Sequence, residues 1–447
     1  MATYAQTVAP DQRRYYLSLG LFLASLALLL FTVVEMRRAI LLPAADYFKV
    51  GAPSPILYVT PLHLLVLLIA GLVLWIAYRY MAGLEEGLKG RGVNLQAVTK
   101  GLAIALMVLL IVDLFTYRGV PASRTVVAGK MGVGQAISLA ALPGWLQPLA
   151  EGINYMALVW HATVLGVLIG ALFLTAMPRS LKSLLSGKGF KAHVGGAGLA
   201  MAHPFCSCCA APIGASLYRG GAALGATLAF VVSAPLLNPT SLILAAALLP
   251  GEFALLRIAG GLVVGVFLTY AVSLAASRWV RPGPLEPRPN RLAEVSSGIV
   301  GRYSRLFRFE DFLDKGVADS PTALVSTWLT VAWRLAKVVV PVLFVGGVVT
   351  AAIVKVFPMP SGNLWGVIVA AGFGTLLMVP TWTEIPIAAG LVREGLTGPA
   401  AALLVTLPAV SVPCLLIVWG AIRNLRAVLL LGLLVFLVGA LAGAAFL

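Results

Sequence analysis

The chain has 447 residues, 60% hydrophobic and only 11% charged, against about 25% charged in an average soluble domain. That excludes a soluble globular protein, and apolar runs reaching the ~20 residues that cross a bilayer core mark a polytopic membrane protein. The formal charge of +16 does not indicate nucleic acid, because Lys and Arg gathered in short loops are what the positive-inside bias produces.

The first apolar run, Tyr16–Val34, follows Arg13 and Arg14 and leads into Glu35-Met36-Arg37-Arg38. No small-residue cleavage site is evident, so it is expected to be a retained span and not a signal peptide. Leu62–Tyr78 and Gly101–Tyr117 complete a three-helix scaffold within residues 1–150. Further spans are expected at Tyr155–Met177, Leu224–Leu249, Ala254–Ser277, Thr327–Val354, Ala400–Gly420 and Ala427–Leu447. Two Pro-interrupted segments, 196–220 and 363–395, remain between spans; proline breaks a helix interior there. The fold class is therefore all-α, with about nine transmembrane helices and two broken segments.

Residues Val379–Pro413 repeat the layout of Met201–Pro239. A slide of 174 residues pairs Pro212 with Pro386, Arg219 with Arg393, Gly221 with Gly395 and Pro239 with Pro413, and nine of the 28 positions from 212 to 239 match. This reads as an internal duplication. Its copies occupy 151–277 and 327–447, joined by a basic loop at 278–326 that is expected to lie on the cytoplasmic face and to include a short amphipathic helix.

The basic loops orient the chain. Pro178–Gly195 and Arg278–Thr322 are both rich in Lys and Arg, whereas Pro250–Phe253 and Phe357–Asn363 have neither. Placing the basic loops inside gives a cytoplasmic N-terminus in a cell (inner) membrane, with Arg37 and Arg38 as exceptions. An even number of crossings must then separate the two basic loops. The simplest solution makes 196–220 re-entrant from the cytoplasm and 363–395 re-entrant from outside. Inverted repeats whose broken helices meet near the bilayer midplane are a transporter architecture.

The chemistry centres on Cys206, Cys208 and Cys209, with His203 three residues before the first. Thiolates are preferred ligands of soft ions and metalloids. Three cysteines beside a helix break point to transient thiol ligation of a transported solute; a buried cysteine acting only as a small apolar residue is the plainer alternative. The second copy has Thr381-Trp382-Thr383-Glu384 at that place, and Thr381 and Thr383 join the candidate solute contacts. Glu384 is the only acid between Asn363 and Arg393, and an ionisable group at membrane depth is a functional candidate. It is a candidate proton carrier, or else an ion-pair partner of Lys337, Arg334 or Arg393. With the two-residue gap restored, His161 pairs with Lys337, and both join the proton-coupling set; the alternative is an interior histidine and a snorkelling lysine. Asn238 caps a broken helix or touches solute, while its counterpart Val412 is apolar. Cys414 joins the thiols if the repeat ends converge, and Asp113 is a weaker proton-path candidate. No GxxxxGK[ST] loop and no Ser/His/Asp grouping is present, so neither an enzyme nor a resident cofactor is expected.

The run Pro204-Phe205-Cys206-Ser207-Cys208-Cys209-Ala210-Ala211-Pro212, with Ser233-Ala234-Pro235-Leu236-Leu237-Asn238-Pro239 after it, resembles the ArsP-like permease family. The resemblance implies efflux of trivalent organoarsenicals, such as methylarsenite and aromatic arsenicals, with Cys206 and Cys208 coordinating the arsenic. The sequence departs from the family pattern at Cys209, where glycine is common, and at Thr381–Glu384, which bears no cysteine. The expected function is a secondary permease exporting a soft thiophilic solute by alternating access, coupled to protons. A transmembrane thiol–disulfide relay and an importer of a sulfur- or metal-containing nutrient are the alternatives. The expected partners are the solute and the lipid bilayer, with no nucleic acid; self-association is left open.

Overall fold

The computed structural model describes residues 2–38, 57–128, 136–140, 142–177, 179–187, 189–201, 205–278, 318–356, 361–379 and 383–447. Every regular element among them is helical. Helices α1 (Ala2–Arg38), α2 (Pro61–Gly90) and α3 (Gln96–Ala128) precede α4 (Gln147–Ala176). Then come α5 (Arg179–Ser186), α6 (Phe190–Met201), α7 (Ser207–Arg219), α8 (Leu224–Leu236), α9 (Pro239–Leu248), α10 (Gly251–Leu262), a π turn (Val263–Leu268) and α11 (Thr269–Ala276). The second half holds α12 (Pro321–Val356), α13 (Leu364–Leu376), α14 (Glu384–Arg393), α15 (Thr397–Ala409), α16 (Val412–Ile422) and α17 (Leu425–Ala444). Among the described residues, nine stretches are long and apolar enough to cross a membrane, each containing or closely matching one of the nine expected spans.

One expected boundary shifts. The loop 178–195 is largely helical, because α5 and the first turns of α6 occupy it; the first broken segment therefore begins near Phe190 and not at residue 196. The amphipathic helix expected in 278–326 falls mostly outside the described residues.

Each broken segment is a pair of short helices. α6, α7, α13 and α14 have 12, 13, 13 and 10 residues. At 1.5 Å per residue each is about 15–20 Å long, well short of the ~30 Å hydrocarbon core. Both ends of each pair lie beside the start of the next long span. Ala223 N donates to Leu185 O at 2.8 Å, and α7 turns directly into α8. In the second half a methyl on Gly398 would meet the Val367 side chain at 2.8 Å, and α14 turns directly into α15.

The turns after α7 and α14 use the same bonds. Ala222 N donates to Leu217 O at 2.9 Å, and Leu396 N to Leu391 O at 2.8 Å; Gly221 N and Gly395 N each reach the carbonyl three residues back at 3.1 Å. Gly221 has φ 94° and Gly395 φ 79°, the left-handed region that a helix-ending turn of this kind requires.

The most buried spans are broken in the middle. α8 ends at Leu236, and Asn238 caps α9 by accepting from Thr240 N at 3.0 Å. α15 ends at Ala409, and Ser411 caps α16 by accepting from Cys414 N at 3.4 Å. In each, a proline within the last turns (Pro235, Pro408) lacks the N–H that would continue the ladder, and Pro239 and Pro413 sit just inside the following helix. The capping counterpart of Asn238 is thus polar Ser411, not the apolar Val412 that the 174-residue slide pairs with it.

α4 and α12 lie antiparallel. Lys355, near the end of α12, donates to Gly144 O and Gln147 Oε1 at 2.7 and 2.9 Å, before and at the start of α4. Trp328, near the start of α12, donates to Leu168 O at 2.8 Å near the end of α4. The scaffold docks on the first turn of α12 through buried Glu85 of α2, which accepts from Tyr15 Oη at 2.9 Å, from Thr322 N at 3.1 Å and from Thr322 Oγ1.

Candidate functional site

Cys206 is the N-cap of α7 in extended conformation, and Cys209 follows one turn on. Cys206 Sγ donates to Cys209 Sγ at 3.1 Å with no disulfide between them, and both are largely buried. The helix geometry causes this: positions three apart share one face. Pro212, inside the same helix, cannot donate to the Cys208 carbonyl, which weakens the ladder where the cysteines sit. The Cys208 side chain, His203 and Thr381 lie outside the described positions.

The start of α7 faces the break in the other half. Ser207 Oγ is 3.5 Å from Ser411 Oγ, and Cys414, fully buried, lies one turn into α16. Two helix N-termini with no acidic residue in either first turn therefore approach each other. The dipoles of the two helices make that place favourable for negative charge. Cys209 also walls a small cavity between α4, α7 and α12, lined by Thr163, Gly166, Pro212, Leu335 and Val339. A methyl on Gly166 would make ordinary contact with the Phe205 ring at 3.4 Å and with Cys209 Cβ at 3.7 Å.

A second centre lies at the other break. Glu384 begins α14, and its Oε1 is 3.1 Å from Nη2 of Arg257 on α10. Both side chains are fully buried. Arg257 Nη1 donates to Leu236 O and Nη2 to Pro235 O, each at 3.1 Å, so the guanidinium closes the exposed carbonyl end of α8. Thr383 is the partly buried N-cap of α14. The ion-pair partner of Glu384 is thus Arg257, not Lys337, Arg334 or Arg393. Arg393 is exposed at the far end of α14, and Arg334 and Lys337 are exposed on α12. Sequence reasoning passed over Arg257, although it is the only Lys or Arg in the apolar span Gly251–Ala276 and satisfies the membrane-depth criterion that singled out Glu384.

His161 and Asp113 are brought together. His161 Nε2 is 3.2 Å from Asp113 Oδ2, both buried, with the Tyr117 ring 4.2 Å from the imidazole. Lys337 sits in different surroundings, exposed with its Nζ 5.2 Å from the Trp333 ring. The two positions that the repeat pairs thus differ in burial. Among the described residues no three His, Cys, Asp or Glu side chains converge as a metal set.

The ArsP_1 family model, described as a predicted permease, matches residues 147–446, from α4 to the C-terminal end of α17. UPF0718 protein YraQ of Escherichia coli (strain K12) is 32% identical over 307 residues, covering 67% of this chain and 80% of that protein. UPF0718 protein MJ0584 of Methanocaldococcus jannaschii is 25% identical over 273 residues, 52% of this chain and 75% of that protein. No solved structure matches the chain significantly. Helices α1–α3, with Asp113, lie outside the matched residues.

Proposed function

Since this chain belongs to the ArsP_1 family of predicted permeases and is a multi-pass membrane protein, we propose that it exports a soft, thiophilic solute by alternating access. A trivalent organoarsenical or a related metalloid, metal or sulfur compound is the solute class, and protons drive it. The observation that carries this reading is the meeting of the α7 N-terminus with the α15–α16 break, where Cys206, Cys209 and Cys414 gather beside Ser207 and Ser411. Cys206, Cys208 and Cys209 ligate the solute, with Asn238, Thr381 and Thr383 as polar contacts. Glu384, His161 and Lys337 form the proton-coupling set, with Asp113 added by its contact to His161.

The antiparallel α4 and α12, the matching turns at Gly221 and Gly395 and the paired breaks support an inverted repeat of 151–277 and 327–447. The return of α7 and α14 to the starting level of α6 and α13 supports re-entrant segments entering from opposite faces. Residues 1–150 then form the flanking scaffold and 278–326 the cytoplasmic loop, with the N-terminus cytoplasmic in the inner membrane. Non-helical backbone at such depth persists only where protein or a water-filled cavity surrounds it, which suits a solute path.

The test is transport of methylarsenite, arsenite, mercuric ion and small thiols in everted vesicles. Accumulation of one of these that is lost in Cys206→Ser, with the protein still present in the membrane, is the expected result. Unchanged transport in Cys206→Ser and Cys209→Ser refutes the thiol role.

One observation favours a second reading, a thiol–disulfide relay: the Cys-x-x-Cys sulfurs are 3.1 Å apart at a helix N-terminus. Alkylation with and without reductant separates the two. A relay shows a reversible disulfide, and a permease shows free thiols throughout.

A further inference from the structure

Arg257 is the only Lys or Arg buried among the described residues, and it is buried completely. A guanidinium does not deprotonate in proteins, so this charge needs a negative partner wherever the chain goes in its cycle. The elements packed on Arg257, namely α8, α9, α15 and the π turn, carry no titratable side chain. On its own helix Glu252 is exposed. On α14, Glu384 makes the pair, while Arg393 and Glu394 are exposed at and just beyond the opposite end. One cation therefore faces one carboxylate.

The surroundings of that carboxylate are those of an anion site. It sits at the N-terminus of α14, which packs on α9. The α9 cap, Asn238, is fully buried, and its Nδ2 has no acceptor; Arg257 Nε, fully buried, has none either. A buried donor without an acceptor costs about 1–3 kcal/mol. One of these donors belongs to the buried guanidinium itself and the other to the α9 cap two residues beyond the Leu236 carbonyl that the guanidinium holds, so the donors at this break exceed what Arg257 Nη1 and Nη2 already give.

We propose that Arg257 and Asn238 form an anion site that the Glu384 carboxylate fills as a tethered ligand, and that a small monovalent oxyanion takes its place when Glu384 accepts a proton. The inference rests on the permease reading and gives its proton coupling a physical form. The exchange balances: Glu384 gains one proton and becomes neutral, its contact to Arg257 Nη2 opens, and the incoming anion restores the charge. Anion and proton thus enter together, and by linkage each favours the other by the same factor. The site stands apart from the thiols, so one solute carrying both an anionic group and a soft atom, or two separate solutes, fits the arrangement.

The experiment uses the purified full-length protein in detergent with formate as the probe, read by titration calorimetry and by pH change in weak buffer. Formate is expected to bind with uptake of one proton, its affinity falling about tenfold per pH unit while Glu384 is ionised. Glu384→Gln, which mimics the protonated state, is expected to bind formate more tightly at pH 7.5, without proton uptake and without pH dependence. Arg257→Gln alone leaves a buried carboxylate and is expected to fold poorly, so the double variant Arg257→Gln/Glu384→Gln supplies the control: folded by circular dichroism, with formate binding lost. A folded Glu384→Gln that does not bind formate, a double variant that still does, or wild-type binding without proton uptake overturns the proposal. Failure here leaves the permease reading intact if vesicle transport remains Cys206-dependent; transport insensitive to Cys206→Ser with formate binding as expected has the reverse meaning.

Discussion

Gly221 and Gly395 occupy the same turn in the two halves, with φ of 94° and 79°, and a methyl on either would meet nothing within 4 Å. The cost of adding one is therefore purely backbone strain, about 1–2 kcal/mol for an L-residue held in the left-handed region. Gly221→Ala and Gly395→Ala are each expected to lower the thermal midpoint of the detergent-solubilised protein, and by similar amounts. A neutral effect at one site alone would break the equivalence of the two turns.

The sulfurs of Cys206 and Cys209 lie 3.1 Å apart, and the proposed thiol site uses both. A bidentate thiol pair gains from effective concentration, so removing one arm costs about 10²-fold or more in affinity. Phenylarsine oxide is expected to protect the wild-type protein from maleimide at submillimolar levels, and Cys206→Ser or Cys209→Ser to need roughly that much more. Equal protection in the single variants would mean that the two thiols do not act together.

Much of the architecture was legible because bilayer crossing is written in composition: runs such as Leu425–Ala444 contain one charge in twenty residues, and the chain has few ways to hide them. The turn at Gly221 was legible too, since the aligned Arg-x-Gly carries its own backbone requirement. What was not legible depends on contacts distant in sequence. Arg257 lies 127 residues from Glu384, and nothing local to either says which cation faces which acid. The pairing of His161 with Asp113 joins α4 to α3, beyond the reach of an argument made from the aligned segments alone. The Asn238–Ser411 equivalence was missed for a smaller reason: Pro239 and Pro413 align in sequence, but the caps sit one and two residues before them.

Glu85 ties the scaffold to the second half by accepting from Tyr15 and from the first turn of α12. Its carboxylate satisfies an N–H that the start of α12 leaves without a partner inside the helix. Glu85→Ala is expected to destabilise the protein by about 1–3 kcal/mol, because Tyr15 and Thr322 are left as donors with no acceptor. Tyr15→Phe, which removes one donor and leaves the others paired, is expected to cost less. Thermal unfolding of the two variants in parallel checks the order, and a larger loss in Tyr15→Phe would contradict it.

Arg257 and Glu384 offer the sharpest test of energetics, because each charge alone is costly where it sits. Both are 0% exposed, and the guanidinium also holds the carbonyls of Pro235 and Leu236. Removing one charge strands the other, a loss of about 3–5 kcal/mol, whereas removing both replaces a costly desolvated pair with neutral groups. Arg257→Gln is therefore expected to be severely destabilised, and the double variant with Glu384→Gln to recover most of the loss. Glu384→Gln alone is expected to be milder than Arg257→Gln, since the two backbone carbonyls still surround the cation. A double-mutant cycle in detergent, read by thermal unfolding, reports the coupling directly. Additive losses would mean that the two charges do not depend on each other, and the joint between the α8–α9 break and α14 would then need a different physical cause.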